Sequence, residues 1–224
     1  MAGDAKTAPI STPSLIAARV ARPTSVGDVR VTVPPYMEQV IVTFSHLARG
    51  SSHVNQRSGV SVRLSVSNYE VLAANALRRG LRAGEREVVP RICDLEALAA
   101  STSGKVEIES LEEGREGAII DNLLRSAVLT VYKERVSPEQ VRDVVTAFEE
   151  GIVAHTGEDI SSVDEVRLLE QVPALRGPVL ALTEGDESPA ALASAVEFVL
   201  EGLHLGKRLN KDASGGRATY RSRS

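Results

Sequence analysis

Hydrophobic residues along this chain recur mostly at intervals of three and four, the spacing that places them on one face of a helix. After Pro34-Pro35, the residues Met37, Val40, Ile41, Phe44, Leu47 and Ala48 form one such stripe. Proline suits a first helical position because its missing N–H would be unpaired there anyway. Gly50 reads as the stop. A polar loop, Ser51 to Ser58, leads to a second stripe at Val62, Val66, Tyr69, Leu72, Ala73, Ala76 and Leu77. Two caps compete for its start. Ser67 with Glu70 matches the S-x-x-E box, but the apolar period already holds at Val62, so Ser61 fits better. A start at Ser61 puts Arg63 in the first turn.

The pattern continues with a short helix from about Asp94 to Ala100, with Asp94 as its cap, and then a helix from Ala118 to about Glu134. Ser137-Pro138-Glu139-Gln140 is a helix start: a cap, a first-turn proline and a glutamine three after the serine. That helix carries Val141, Val144, Val145 and Phe148 and ends near Gly151. Gly157 to Asp164 reads as loop, and Val166 to Val172 as one or two helical turns closed by Pro173. Ser188-Pro189 opens a last helix bearing Leu192, Val196, Val199, Leu200 and Leu203 on one side. The one strand signal is Val106-Glu107-Ile108-Glu109, which alternates with period two. These elements predict a mainly α protein in four parts: a flexible leader at 1–33, a helical unit at 34–102, a helical extension at 103–206 and a basic tail at 207–224.

Composition narrows this picture. At 224 residues there is room for one or two domains with a real core. Aromatics are 3 % and tryptophan is absent, so the core must rest on Leu, Val, Ile and Ala. A net charge of −4 does not suggest a whole-protein polyanion binder. The single cysteine, Cys93, forbids an internal disulfide and fits a reducing cytoplasm. No run of about eighteen apolar residues is present, so a membrane span is not expected. Glu197 and Glu201 argue the same for the last helix.

Several groups could carry chemistry. A first-turn arginine sits at the unfavourable end of the helix dipole, which an adjacent anion would reverse. Arg63 with the free N–H groups of a helix start therefore makes a candidate phosphate contact, to which Arg57 could add charge. Arg78, Arg79, Arg82 and Arg86 read as a solvated face suited to a helix C-terminus, with a subunit interface or an acidic partner as the alternative. The acids Glu107, Glu109, Glu112, Glu113 and Glu116 read as a solvated segment. His46 and His53 lack companions for a zinc set. Cys93 reads as buried filler without a histidine partner, and His204 as a surface residue. No catalytic residue and no metal ligand is assigned. The tail from Lys207 has six Lys/Arg and one acid. It reads as disordered or docked on its own protein or a sister subunit, with nucleic acid not the expected partner.

The run HVNQRSGVSVRLSVSNYEVLAANALRR resembles the lid region of the AAA+ ATPases related to magnesium chelatase and to the MoxR group. The similarity extends from about Val33 to Tyr220, through VPRICDLEALAASTSGKVEIE, SAVEFVLEGLHLGKRLNK and GGRATYR. In that family a Gly-x-Ser-x-Arg segment opens the lid helix that carries the second sensor arginine. Gly59, Ser61 and Arg63 match it, so the resemblance implies that Arg63 touches nucleotide phosphates.

The family's Gly-x-x-x-x-Gly-Lys-Ser/Thr phosphate loop does not occur here, and neither does an apolar strand ending in paired acids. Ser103-Gly104-Lys105-Val106 lacks the upstream glycine and the hydroxyl for magnesium. The resemblance thus implies the lid and C-terminal portion of an ATPase, inactive alone. ATP and magnesium would enter only with a core domain, its own or a neighbouring AAA+ subunit's. The family remodels partners or inserts metal into a porphyrin, and no residue here identifies the molecule acted upon. A freestanding helical interaction module without nucleotide is the alternative.

Overall fold

The computed structural model describes residues 24–53, 62–103 and 115–223. Its chain is mainly α, with two small sheets. Strands β1 (Thr24–Val26) and β2 (Val29–Val31) form a hairpin, and α1 (Pro35–Gly50) and α2 (Val62–Ala83) follow. Strand β3 (Glu87–Val88) then returns parallel to β2. The two helices are thus the crossover between parallel strands. A 3-10 turn at Ile92–Glu96 runs into α3 (Ala97–Ser103).

Helix α4 (Glu116–Arg135) is followed by a 3-10 turn at Glu139–Val141 and by α5 (Arg142–Glu149). Next come β4 (Ala154–Gly157), α6 (Ser162–Val166), α7 (Leu168–Gln171), a 3-10 turn at Pro173–Leu175 and α8 (Arg176–Leu182). Helix α9 (Pro189–Leu205) leads to the hairpin β5 (Leu209–Ser214) and β6 (Arg217–Ser222), and β6 lies between β4 and β5.

The stripes read from the sequence are the buried faces. Met37, Val40, Ile41 and Phe44 of α1 are fully buried, as are Leu72, Ala73 and Ala76 of α2. Helix α2 begins at Val62, so Ser67 lies inside it and not at its start. The chain comes so close at the end of α2 that a Cβ on Gly80 would meet a Val88 methyl at 2.2 Å.

Helix α9 is the central post. Every residue from Ala190 to Leu203 is buried, the two glutamates included. Ser188 caps it, its Oγ accepting from the Ala191 N–H, with Pro189 in the first turn. Around it pack α4, α6, α8 and β5. Helix α1 packs along α4, and one continuous apolar cluster runs from Tyr36 to Tyr220. The boundary expected at 102/103 therefore does not separate two cores: the stripe of α1 is completed by α4, from beyond that boundary.

Other expectations are corrected by strands. Residues 24–31, assigned to the leader, form β1 and β2, joined by a two-residue turn with Gly27 at φ +59°. The basic tail, read as disordered or docked, is docked on its own chain, with β6 paired to both β4 and β5. Gly215 and Gly216 both adopt positive φ, +60° and +77°, as a tight two-residue hairpin requires. Part of the expected loop 157–164 is helix α6, which Ser161 caps by accepting from the Asp164 N–H. The strand signal at Val106–Glu109 and the acids Glu107, Glu109, Glu112 and Glu113 lie outside the described residues.

Candidate functional site

Arg63 sits in the first turn of α2 with an exposed side chain, while Leu64, Ser65 and Asn68 beside it turn inward. The inward polar groups are matched across the helix pair. Ser65 Oγ donates to Ser45 Oγ of α1 at 2.8 Å, and that hydroxyl donates to the Ile41 carbonyl. Asn68 meets Thr102 of α3 at 3.4 Å. Helix α2 is thereby held in rotation, and Arg63 is left facing outward. Arg57, Gly59 and Ser61 lie outside the described residues.

The largest departure from the sequence pattern is at the other end of α2. Arg79, expected on a solvated face, is buried. Its Nε and Nη2 donate to the Asp94 carboxylate at 3.1 to 3.3 Å, and Nη2 also donates to the Val89 carbonyl at 2.9 Å. Its neighbours Arg78, Arg82 and Arg86 are exposed as expected. Asp94 also accepts from the Arg91 N–H at 2.8 Å and so opens the 3-10 turn. It caps that turn from its third position, with Arg91 and not Asp94 as the cap residue.

Arg91, which no pattern in the sequence marks, is the largest fully buried side chain. Its Nη1 donates to the Ile160 carbonyl at 2.9 Å and its Nη2 to Ser162 Oγ at 2.6 Å. Around it converge Glu165 of α6 at 2.6 Å, Glu85 at 3.5 Å and Glu197 of α9 at 3.9 Å. Glu85 bridges both arginines, also standing 3.5 Å from Arg79, and accepts from the Ser162 N–H at 2.6 Å. The cluster thus ties α2, the 3-10 turn, α6 and α9 into one buried knot.

Two guanidinium groups face four carboxyl groups there, so the charges do not balance. The resolution lies at Glu165. Its contact with Arg91 is short but not aligned for a hydrogen bond, and the carboxyl facing it is that of Glu197. Burial, together with the neighbouring Glu197, pushes its carboxyl well above the ordinary range despite the pull of Arg91. Arg91 cannot hold Glu165 ionised alone, because its charge is shared with Glu197 and Glu85. Glu197 is also raised by burial, yet Arg91 and Glu165 draw it back, and it accepts from the Cys93 N–H at 3.3 Å. Both carboxyls are thus raised, and Glu165, which gains less from Arg91, is the one raised well above the ordinary range.

A cavity of about 200 Å³ opens beside this knot, between Cys93, Glu197 and the β5–β6 hairpin. Burial and the adjacent Glu197 push the Cys93 thiol far up, so it is no thiolate nucleophile. At the hairpin, Glu201 accepts from Lys211 Nζ and from the Tyr220 hydroxyl, both at 2.7 Å. Arg221 pairs with Asp212 and Arg217 with Asp159. Much of the tail's charge is thus matched by the chain's own acids.

The histidines are dispersed. His46 and His53 are exposed, and His204 is half-buried with Nδ1 3.3 Å from the Leu209 carbonyl. Among the described residues no group of three His, Cys, Asp or Glu could hold a metal ion, and no helix is long and apolar enough to cross a membrane. One sequence signal for the buried knot existed: Glu197 and Glu201, four apart, interrupt an otherwise apolar run. Acids so placed must find partners inside the fold.

No protein-family model, no curated protein and no solved structure matches this chain.

Proposed function

We propose that this chain is the lid and C-terminal portion of a magnesium-chelatase-like AAA+ ATPase acting in the cytoplasm. It meets ATP and magnesium only when a phosphate-loop core is supplied, by its parent chain or by a neighbouring subunit. The observation that carries this reading is the outward-facing Arg63 in the first turn of the 22-residue helix α2. A guanidinium beside the N–H groups of a helix start suits phosphate oxygens. The rotation of α2 is fixed by Ser65–Ser45 and Asn68–Thr102, which gives the arginine a defined direction. The Gly59–Arg63 segment adds its likeness to the family's sensor motif.

The test is reconstitution. The purified chain alone should not hydrolyse ATP. Combined with a phosphate-loop core of this ATPase class, it should support magnesium-dependent turnover. Arg63→Ala should then lower turnover by roughly 10²-fold, the scale for removing one charge-stabilising donor, and leave the melting temperature unchanged. Arg63→Lys should restore part of it, because an ammonium does not copy the planar fork. Equal turnover by wild type and Arg63→Ala would overturn the assignment.

A further inference from the structure

On the face formed by the ends of α4 and α9 and the start of α5 lies a cavity of about 570 Å³, well within the range of small-molecule sites. Its floor is apolar: Tyr132, Val136, Val141, Val145 and Leu203 all line it. Three cations, Lys133, Arg142 and Arg208, stand on its rim, and no acid does. All three are exposed, and none forms an ion pair with a described residue. Five exposed arginines elsewhere, Arg82, Arg167, Arg176, Arg217 and Arg221, each pair with an acid, while Arg86 and Arg125 pair with none among the described residues; the groove differs in gathering three such cations around one apolar cavity. Glu139 is near enough to Arg142 to feel its charge, but it is not part of the groove lining and is fully exposed.

The groove is built by a close approach. Gly202 of α9 lets the Tyr132 ring lie where a Cβ would be, at 2.0 Å. The ring is thereby pinned against α9 as one wall. Burial pushes the Tyr132 phenol up to about 12, with Arg208 pulling the other way, so the phenol is neutral and Arg208 stands beside it.

We propose that this groove binds a small anionic amphiphile: an apolar chain seated on Tyr132, Val145 and Leu203, with a carboxylate head held by Arg142, Arg208 and Lys133. Charge complementarity selects the head. Size selects a compact ligand over a protein partner, since the site is a concave cavity of about 570 Å³ and not a broad apolar face for a helix to cover. The proposal does not depend on the nucleotide reading.

The test uses the full chain and dodecanoate below its micelle concentration, with dodecanol and dodecylammonium as neutral and cationic controls. Calorimetry should show saturable dodecanoate binding of one per chain, weaker with added salt, and methyl shifts should centre on Val136, Val141, Val145 and Leu203. The combined K133E, R142E and R208E variant should bind at least about tenfold more weakly at an unchanged melting temperature, because all three side chains are exposed. The proposal is overturned if dodecanol binds as well as dodecanoate, if the triple variant binds like wild type, or if no saturation is seen. A salt-insensitive dimer that buries this face would overturn it too.

Discussion

The Tyr36 hydroxyl lies 2.6 Å from Ser194 Oγ, joining α1 to α9 across 158 residues of sequence. Ser194 spends its own hydrogen on the Pro90 carbonyl at 2.5 Å, so the tyrosine is the donor. The Tyr36 ring also packs on Phe198, with ring centres 4.8 Å apart. Tyr36→Phe keeps the ring and the Ser194–Pro90 bond and removes one buried hydrogen bond. It should cost about 0.5–1.5 kcal/mol in denaturant unfolding. A loss several times larger would mean that the phenol supports more than this contact.

Arg91 is the keystone of the buried knot, so Arg91→Met should be far more damaging. The methionine fills the space but takes the counter-charge from Glu85, Glu165 and Glu197 and the donors from Ser162 Oγ and the Ile160 carbonyl. Breaking a buried ion pair from one side costs about 3–5 kcal/mol. Chemical denaturation reads this directly, and a cost below about 1 kcal/mol would show that water reaches the cluster.

Glu165 gives a pH signature. Its carboxyl binds its proton more tightly in the folded chain than in the unfolded one. Its contribution to stability is therefore complete below the ordinary carboxyl range and is lost as pH rises through the raised folded value. Glu165→Gln mimics the protonated acid at every pH, with an N–H₂ for Glu197 and a carbonyl for Arg91. The melting temperature of Glu165→Gln minus that of wild type should increase with pH above about 4.5. A difference that is flat, or falls with pH, would show that Glu165 is ionised in the fold.

Gly202→Ala sets a Cβ 2.0 Å from Cδ2 of Tyr132, a distance that atoms do not tolerate. The ring must move or α4 and α9 must part, and overpacking of this kind costs about 1–3 kcal/mol. The same substitution should alter Tyr132 fluorescence, because the ring loses its seat. Unchanged stability would mean that the two helices separate freely there.

Much of the helical frame was legible because its information is local. The stripes Met37–Ala48 and Val66–Leu77 and the Ser188-Pro189 cap are patterns within a few residues, and each appears as read. Gln140 likewise accepts from the Ser137 N–H at 2.8 Å, half of the expected box. The hairpins were hidden for a different reason. Strands β5 and β6 carry few apolar or branched residues, and their true signal was the Gly215-Gly216 turn. Arg79 and Arg91 could not be told from surface arginines, because their partners lie elsewhere in the chain: Asp94 and the Val89 carbonyl for Arg79, and Ser162, Glu165 and Glu197 for Arg91. Of the candidate site, Arg63 was legible as a first-turn residue, and its outward direction came only from the Ser45 and Thr102 contacts made by its neighbours.

The position of α9 bears on how such a chain is made. It is the post around which α4, α6 and α8 assemble, yet it leaves the ribosome long after α1 and α2. Until it emerges, the faces of α4, α6 and α8 that pack on it have no final partner. Contacts this distant in sequence slow folding, and the waiting surfaces are open to aggregation. Production of this chain should therefore depend on the chaperones that hold nascent helices apart, and refolding from denaturant should improve at low protein concentration.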